Sequence, residues 1–371
     1  MKGKKHYLCM QRTIPPTDNG TRERMIRIAI IGMGQRGKAT LQRLRDIPQA
    51  CVAYLCDSHD ASCQDPSGPA FLKDWRQVVA QPDIQLIYIC TPWDCHVEIA
   101  VEAMKAGKHV ALEIPAAMTL RECDLLVRTS LSTDRHCVML ENCCYDTWHL
   151  GVREMVRQGM LGEVTHLEGA YIHTVADDWM IHLRRRHQGN PYPTHGLGPM
   201  CQLLREEDSM EYLVSMDTHN QVTGDNLNST LIHTRCGVTM LLQYDISTPR
   251  PYNRLQTVCG TLGFAQKYPV PCIQLAPAAQ REPLLLTGDE AVSYVEGHIP
   301  PAYRQMMEDG RKRGVANVMN YMMDRRLIEA LESGRHPDTD VHEAALWSSI
   351  VELTERSARR GGERVAIPRR S

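Results

Sequence analysis

Short apolar runs alternate with amphipathic stretches along the first part of the chain. Five of these runs have the length and composition of buried strands, at residues 26–31, 51–56, 86–90, 109–112 and 137–140. The segments between them have helical spacing, a pattern typical of βαβ units on a parallel sheet. The pattern therefore predicts an α/β domain at 25–145, preceded by a polar, turn-rich arm at 1–24.

Several helices carry recognisable end signals. Apolar residues recur at helical spacing over 96–106, and Gly107 then provides a C-terminal stop. Thr119, followed three residues later by Glu122, forms a capping box that predicts a helix start. A further helix is predicted at 147–158.

After residue 158 the pattern of apolar positions changes and predicts longer strands. They are predicted at 164–173, 212–216, 229–234, 238–245 and 255–259. Helices are predicted again at 317–333 and 342–359. The region 146–371 is therefore predicted to be an α+β domain on one larger sheet, with the late helices between residues 303 and 359 packing back on it.

Composition narrows the choice of partners. Lys and Arg number 42 against 44 Asp and Glu, and the formal charge of −2 gives no field for gathering nucleic acid or anionic lipid. A small-molecule partner is expected instead. The 14 cysteines include no C-x-x-C pair, so we expect reduced thiols. No run has the apolar length of a signal sequence or membrane span, which predicts a cytoplasmic protein without membrane association.

A glycine-rich turn follows the first predicted strand and opens a helix. It consists of Gly32, Met33, Gly34, Gln35, Arg36 and Gly37. Such glycines allow a tight turn, close approach of a pyrophosphate and helix packing, and the helix N-terminus attracts the phosphates. Asp57 ends the second strand, where a carboxylate binds the adenosine ribose, and no arginine follows it to hold a 2′-phosphate. NAD is therefore predicted over NADP; the alternative is a glycine turn that binds nothing.

Two further strand ends are expected at the ligand-binding edge of this sheet. Thr91, Pro92 and Trp93 follow the third strand, with His96 close behind, and Glu113 follows the fourth. We predict that these residues contact the cofactor, with the Glu113 carboxylate on the nicotinamide ribose. The alternative is simple turn chemistry at the strand ends.

These motifs, with Cys-Thr-Pro at 90–92 and Glu-x-Pro at 113–115, resemble the Gfo/Idh/MocA family of nicotinamide-dependent sugar enzymes. The resemblance implies a Rossmann domain followed by an α+β domain with an open-faced, mainly antiparallel sheet. It also implies an active site at the joint between the two domains. An open sheet face favours a homo-oligomer, a dimer or higher.

Five further strings resemble glycoside hydrolase family 109, the NAD-dependent α-N-acetylgalactosaminidases, at 139–145, 168–173, 189–199, 248–252 and 260–263. The likeness covers nearly the whole chain from Met25. Dehydrogenases of the wider family carry a lysine where Ile114 stands, and an Asp and a His where the alignment puts Thr194 and Gly198. A net dehydrogenase would therefore lack its usual proton-transfer groups here.

The hydrolase resemblance implies transient oxidation at C3 of a sugar, loss of the C2 proton, elimination of the aglycone, addition of water and final reduction. It implies Tyr171 as the C2 base, His195 as acid or base, and Tyr192 as a catalytic residue that orients the substrate. Glu141, Asn190 and Thr194 would bind the glycoside or tune a neighbour. The alternatives are a core tyrosine at Tyr171 and a packed histidine, although His195 lies in a predicted Gly/Pro-rich loop.

Because the chain departs from the family pattern at two places, the resemblance does not identify the sugar of its substrate. The stretch between Tyr171 and Tyr192 is shortened, and Ala316 and Asn320 stand where the family has a His and an Asp. The competing functions are a sugar or cyclitol dehydrogenase and a non-catalytic dinucleotide-binding protein. Cys143 and Cys144 are interpreted as buried small hydrophobes with no adjoining basic partner. No metal is expected, because the histidines show no ligand spacing.

Overall fold

A computed structural model describes residues 25–59, 68–174, 187–219, 226–276 and 282–369. The predicted arm at 1–24 lies outside these residues. The chain forms two compact units. Unit 1 contains the chain up to Ala116 together with Asp124–Leu140 and Gly310–Ala344, and unit 2 contains Ala117–Cys123, Glu141–Asp309 and the remainder from Ala345. The predicted boundary at residue 145 differs from this division, because 141–145 belong to unit 2 and the segment 310–344 belongs to unit 1.

Unit 1 is built on a six-stranded parallel sheet in the order β3-β2-β1-β4-β5-β6. Its strands are β1 Ile26–Ile31, β2 Ala50–Cys56, β3 Ala70–Leu72, β4 Leu86–Ile89, β5 His109–Leu112 and β6 Cys137–Met139. This strand order is that of a Rossmann fold, and the five predicted strands are all present. Three-residue β3 was not predicted, since it lies at the sheet edge and is too short for a pattern.

The central strands of unit 1 are apolar on both faces. Ile28, Ile30, Leu86 and Ile87 are fully buried. Parallel strands covered on both sides need apolar residues at every position, which explains the uninterrupted runs in the sequence.

The helices of the first half begin and end at specific signals. They are α1 Gln35–Leu44, α2 Trp75–Val79, α3 His96–Lys105 and α4 Leu120–Thr133. The capping box at α4 is confirmed, because Glu122 Oε2 accepts the Thr119 N–H at 3.0 Å and the Thr119 hydroxyl accepts the Glu122 N–H at 3.2 Å. The glycine stop after α3 is also present, with Gly107 at φ +81°.

Unit 2 is built on a nine-stranded sheet in the order β14-β13-β12-β11-β7-β10-β9-β8-β15. Its strands are β7 Val164–Ile172, β8 Met210–His219, β9 Asn226–Thr234, β10 Thr239–Asp245, β11 Asn253–Gly260, β12 Gly263–Gln266, β13 Cys272–Leu275, β14 Leu284–Thr287 and β15 Val365–Ala366. The pairs are antiparallel except for β7 with β10. The predicted mainly antiparallel sheet is therefore confirmed, whereas the short strands β12 to β15 were missed.

One face of this sheet is covered and the other is more open. Along β10, Met240, Leu242 and Tyr244 are buried, while the alternating Leu241 and Gln243 are partly exposed. The period of two is that of a half-covered strand.

The remaining helices of the described residues follow α4 along the chain. They are α5 Thr147–Arg157, α6 Thr194–Cys201, α7 Gly288–Glu296, α8 Pro301–Arg313, α9 Val318–Ser333 and α10 Val341–Arg359. Asn317 caps α9 by accepting the Asn320 N–H, and Gly334 ends it in the left-handed conformation. Among the described residues, no helix is both long and apolar enough to cross a membrane.

Candidate functional site

The glycine turn of unit 1 has the backbone shape that a dinucleotide requires. Gly32 has φ +91°, and a Cβ there would lie 2.6 Å from the Cys90 carbonyl carbon. A Cβ on Gly37 would lie 1.9 Å from the Gly32 carbonyl oxygen. A Cβ on Gly34, by contrast, meets nothing within 4 Å. Gly32 and Gly37 therefore serve the turn itself, while Gly34 faces open space at the N-terminus of α1, where helix N–H groups bind phosphates.

Asp57 is tied to this turn. Its Oδ2 accepts the Met33 N–H at 2.7 Å, and its Oδ1 accepts the His59 N–H at 2.8 Å. A carboxylate oxygen can accept more than one hydrogen bond, so this position is compatible with contact to a ribose hydroxyl. The predicted residue lies at the predicted strand end, and it also positions the glycine turn.

His96 connects two strand ends of the sheet edge. It is fully buried, with Nδ1 3.0 Å from the Pro115 carbonyl oxygen and Nε2 3.0 Å from the Thr91 carbonyl oxygen. Both ring nitrogens therefore face protein carbonyls, and the side chain positions the turns that carry Thr91 and Glu113. The Thr91 hydroxyl is buried without a hydrogen-bond partner among the described residues, as expected of an atom awaiting a ligand.

Glu113 lies in a charged network that sequence reasoning missed. Its carboxylate is 3.5 Å from Arg36 Nε and 3.7 Å from Arg43 Nη2. Arg43 Nε also donates to Asp324 Oδ2 at 2.5 Å, and the Tyr88 hydroxyl donates to Asp324 Oδ1 at 3.0 Å. Asp324 is on α9, far along the chain, and only the fold brings it to Arg43. The glycine turn, Asp57 and Glu113 together fit an NAD molecule.

The second set of predicted residues lies in unit 2, where α6 packs closely on β7. A Cβ on Gly169 would lie 2.5 Å from the Gly196 carbonyl oxygen, and one on Gly196 would lie 2.6 Å from the Ala170 nitrogen. This backbone contact brings Tyr171 and His195 together. The prediction that His195 lies in a loop is wrong, because His195 is in the first turn of α6. Glycine and proline disguised the helix in the sequence.

The three predicted catalytic rings form one cluster. The centroid of Tyr171 is 4.8 Å from that of Tyr192 and 5.5 Å from that of His195, and the Tyr192 and His195 centroids are 5.1 Å apart. Asn190 holds the backbone of Tyr192 in place. Its Oδ1 accepts the Tyr192 N–H at 3.0 Å, and its own backbone N–H donates to Thr354 Oγ1 at 2.9 Å. Fully buried Asn190 therefore positions Tyr192. Residues 175–186, between the two tyrosines, lie outside the described part of the chain.

Glu141 pairs with His195. Its Oε1 is 2.7 Å from His195 Nδ1 and also accepts the Cys143 N–H at 3.0 Å. Burial alone would lower the pKa of His195, but Cys143 and Glu141 raise it to about 10. Burial likewise opposes ionisation of Glu141, yet His195 holds the pKa of that carboxyl below its ordinary value. Thr194 contributes to this lowering, although its buried hydroxyl falls short of hydrogen-bond geometry.

The prediction that no basic partner adjoins Cys143 is wrong. The Cys143 Sγ, a Glu141 carboxylate oxygen and a His195 ring nitrogen all lie within 4.8 Å of one another. Cys143 and Asp146 also raise the pKa of Arg254 well above its ordinary value, against the effect of burial. Neither His195 nor Arg254 is near Cys143 in the sequence, so local inspection could not find them.

Asp146 anchors the turn that follows Glu141. Its Oδ2 accepts from Arg254 Nη2 at 2.5 Å and from Lys267 Nζ at 2.6 Å, and its Oδ1 caps α5 by accepting the Trp148 N–H at 3.0 Å. Burial opposes ionisation of Asp146, but Arg254 and Lys267 hold the pKa of this carboxyl well below its usual range. Breaking such a buried network costs several kcal/mol, of order 3–5, so Asp146 is a support for the site.

Comparisons with known proteins identify both parts of the chain. The model of the oxidoreductase family with an NAD-binding Rossmann fold matches residues 26–140, and that of the glycosyl hydrolase 109 C-terminal domain matches residues 218–370. The levoglucosan dehydrogenase solved with NADH and L-sorbose has a TM-score of 0.75 and 17% identity, covering 93% of this chain and 99% of that one. An NAD binding oxidoreductase from Klebsiella pneumoniae has a TM-score of 0.77 and 15% identity, covering 93% and 100%. These structures show the fold, a Rossmann unit and a sheet domain.

Closer relatives define the family. A glycosyl hydrolase family 109 protein 2 of Phocaeicola vulgatus is 44% identical, covering 93% of this chain and 94% of the relative. An alpha-N-acetylgalactosaminidase of Bacteroides fragilis is 41% identical, covering 93% and 91%. The chain therefore belongs to glycosyl hydrolase family 109, with an NAD-binding Rossmann domain, and both the predicted family and the predicted cofactor are confirmed.

Proposed function

We propose that the protein hydrolyses an α-N-acetylgalactosaminide by a redox-neutral route in which oxidation at C3 of the sugar is reversed before product leaves. The observation that carries the proposal is the cluster of Tyr171, Tyr192 and His195, with His195 held by Glu141 at 2.7 Å. The 41% identical relative named alpha-N-acetylgalactosaminidase supports the choice of sugar.

Bound NAD supplies the acceptor for the C3 hydrogen and returns that hydrogen at the end of the cycle. With a ketone at C3, the neighbouring C2–H becomes acidic. Tyr171 then takes the C2 proton, the C1–O bond breaks, and the departing oxygen receives a proton. Water adds back across the C1–C2 double bond and C3 is reduced, so that the sum is hydrolysis of one glycosidic bond.

His195 is assigned to the proton transfers at oxygen, either at the glycosidic bond or at the C3 hydroxyl. Its Nδ1 faces Glu141, which fixes the ring orientation in the way that a buried carboxylate orients a catalytic histidine. We assign the second ring nitrogen to the substrate. The His195 side chain keeps 14% of its surface exposed while that of Glu141 is fully buried, as these two roles require.

Tyr192 is assigned to orient the sugar. It is 6% exposed, its ring stands edge-on to His195, and Asn190 fixes its backbone. A rigid aromatic wall next to the proton-transfer groups holds a sugar ring at low cost in conformational entropy. We assign Thr194 to the same wall as a secondary contact.

A net dehydrogenase is the alternative. It is disfavoured because Ile114, buried at 4% exposure, occupies the position of the family's lysine, and a methyl-bearing side chain cannot relay a proton. The test is to incubate the protein with a panel of α- and β-linked nitrophenyl glycosides, with and without added NAD⁺, while following phenolate and NADH absorbance. Phenolate release without net NADH supports the hydrolase, and net NADH supports the dehydrogenase. If the panel includes the α-N-acetylgalactosaminide and neither phenolate nor NADH is formed, the result contradicts the proposal.

A further inference from the structure

Glu141, Cys143 and His195 bring three different kinds of metal-ligand atom to one place. The carboxylate oxygen, the thiol sulfur and the imidazole nitrogen lie within 4.8 Å of one another. We propose that these three side chains bind a single thiophilic divalent cation of the Zn²⁺ type. Histidine spacing did not indicate this site, because the set contains one histidine and its members come from two separate segments.

The chemistry of the donors selects the ion. Thiolate and imidazole are ligands for zinc, whereas magnesium and calcium prefer an all-oxygen shell. Zinc bonds of about 2.0–2.3 Å place neighbouring tetrahedral ligands roughly 3.3–3.8 Å apart. The widest separation in the set, at most 4.8 Å, therefore exceeds this value by about 1 Å, and rotation of the Cys143 side chain can bring its sulfur closer while the Glu141 carboxylate stays in place.

A second observation points to a ligand at this position. Glu141 is 1% exposed, and its Oε2 is a buried oxygen without a hydrogen-bond partner among the described residues. An unpaired buried carboxylate oxygen costs free energy that a bound cation would recover. Its other oxygen is already held by Cys143 N–H and His195 Nδ1, so the carboxylate is fixed in place for binding.

The local fold presents the donors on rigid supports. Residues 142–145 form a 3₁₀ turn capped by Glu141, which folds Cys143 back towards that carboxylate. His195 is carried by α6, which the Gly169 and Gly196 contact locks onto β7. Three protein ligands leave the fourth tetrahedral position for water or an added ligand, as in open zinc sites.

Charge sets a limit on the affinity. The buried Arg254 guanidinium, which pairs with Asp146 at 2.5 Å just after the 142–145 turn, opposes a second positive charge in this region. We therefore expect weaker binding than that of a structural zinc site. In a further step that rests on the proposed function, zinc on His195 would remove the proton-transfer group and slow phenolate release.

The test uses the full-length, reduced protein after treatment with a chelator. Titration with Co²⁺, followed by its thiolate charge-transfer and visible bands, and zinc content after gel filtration both report binding without any substrate. We expect one ion per chain in the wild type, and at least a tenfold loss of affinity in Cys143→Ser and Glu141→Gln. Cys144→Ser and Cys236→Ser serve as matched controls and should bind as the wild type does, with circular dichroism melting to verify folding of each variant.

Absence of a thiolate–Co²⁺ band in the wild type overturns the site, as does a band that survives Cys143→Ser. Loss of the band in the Cys236→Ser control also overturns it, because that result places the ion on a surface thiol. These readings do not depend on turnover, so a protein that binds Co²⁺ or zinc but releases no phenolate in its metal-free form would contradict only the proposed function.

Discussion

The carboxylate of Glu141 lies 2.7 Å from Nδ1 of His195, although the two residues are 54 positions apart in the chain. Glu141 follows β6 and His195 lies in the first turn of α6, so only the folded chain brings the two side chains together. The contact fixes the orientation of the imidazole ring. In the proposed function, this pair connects proton transfer to the fold.

Replacing Glu141 with Gln should lower kcat for glycoside cleavage by about 10²-fold. The amide keeps the shape of the side chain but removes the charge that orients and stabilises the imidazolium. Steady-state kinetics on the α-linked substrate measure the effect. Glu168→Gln is the matched control, since Glu168 also faces a histidine, His166 at 3.6 Å, outside the cluster. Equal losses in both variants would contradict the assignment.

Tyr171→Phe should slow the exchange of the C2 hydrogen of the sugar with D₂O by about 10²–10⁴-fold. The change removes one hydroxyl and keeps the ring in contact with Tyr192 and His195. Exchange is read by NMR, and NAD⁺ affinity is measured in parallel and should not change. Tyr212→Phe, another strand tyrosine stacked on a histidine, is the control. Full exchange in Tyr171→Phe assigns the base elsewhere.

Gly34→Ala should weaken NAD⁺ binding at least tenfold without unfolding the protein. A methyl group there meets no protein atom within 4 Å, and the backbone at φ −65° and ψ −165° accepts alanine, so only the approach of the pyrophosphate is hindered. Calorimetric titration gives the affinity, and the rise in melting temperature with NAD⁺ gives a second reading.

Gly37→Ala provides the contrast to that substitution. Its Cβ would lie 1.9 Å from the Gly32 carbonyl oxygen, so this variant should lose stability even without cofactor. Wild-type NAD⁺ affinity in Gly34→Ala would show that the dinucleotide does not approach this turn.

The pKa of Glu343 is raised by burial from 4.5 to about 7. A raised pKa means that the folded state favours the protonated acid, so this contribution to stability is complete below pH 4.5 and is lost as the pH rises through 7. Glu343→Gln keeps the Oε acceptor that caps Asp340 N–H at 3.0 Å. The variant should be more stable than the wild type at pH 8, by roughly 1–3 kcal/mol, and equal to it at pH 4.5. Urea titrations at the two pH values measure this, and a pH-independent difference would contradict it.

We propose that a second copy of the chain covers the open face of the unit 2 sheet. Leu231 pairs with Val214 and Leu241 across three strands, and Leu231 and Met216 are 50% and 58% exposed. Exposed apolar side chains in neighbouring register are typical of an interface. Leu231→Glu should shift the mass measured by light scattering towards the monomer. A monomeric wild type at high concentration would exclude this association.

Much of unit 1 could be predicted because its signals are local. The glycine turn, Asp57 and the capping box at Thr119 each occupy one short segment, and the buried parallel strands form uninterrupted apolar runs. The Arg43 and Asp324 pair could not be predicted, since its members come from helices at opposite ends of the chain.

The site in unit 2 also contains residues that could be predicted from the sequence and contacts that could not. Tyr171, Tyr192 and His195 were found through the resemblance to the family and not through periodicity. The helix that carries His195 was missed because its glycines, needed for close packing on β7, have low helix propensity. The proximity of Cys143 to His195 depends on tertiary structure alone.

The most direct test of the account is cleavage of the α-N-acetylgalactosaminide in D₂O, with the sugar product analysed by mass spectrometry and NMR. Removal and return of hydrogens at two different carbons predicts one deuterium at C2, hydrogen retained at C3 and no net NADH. A product that keeps its original hydrogen at C2 while phenolate is released would contradict the account, because the glycosidic bond would then have been broken without deprotonation next to a ketone.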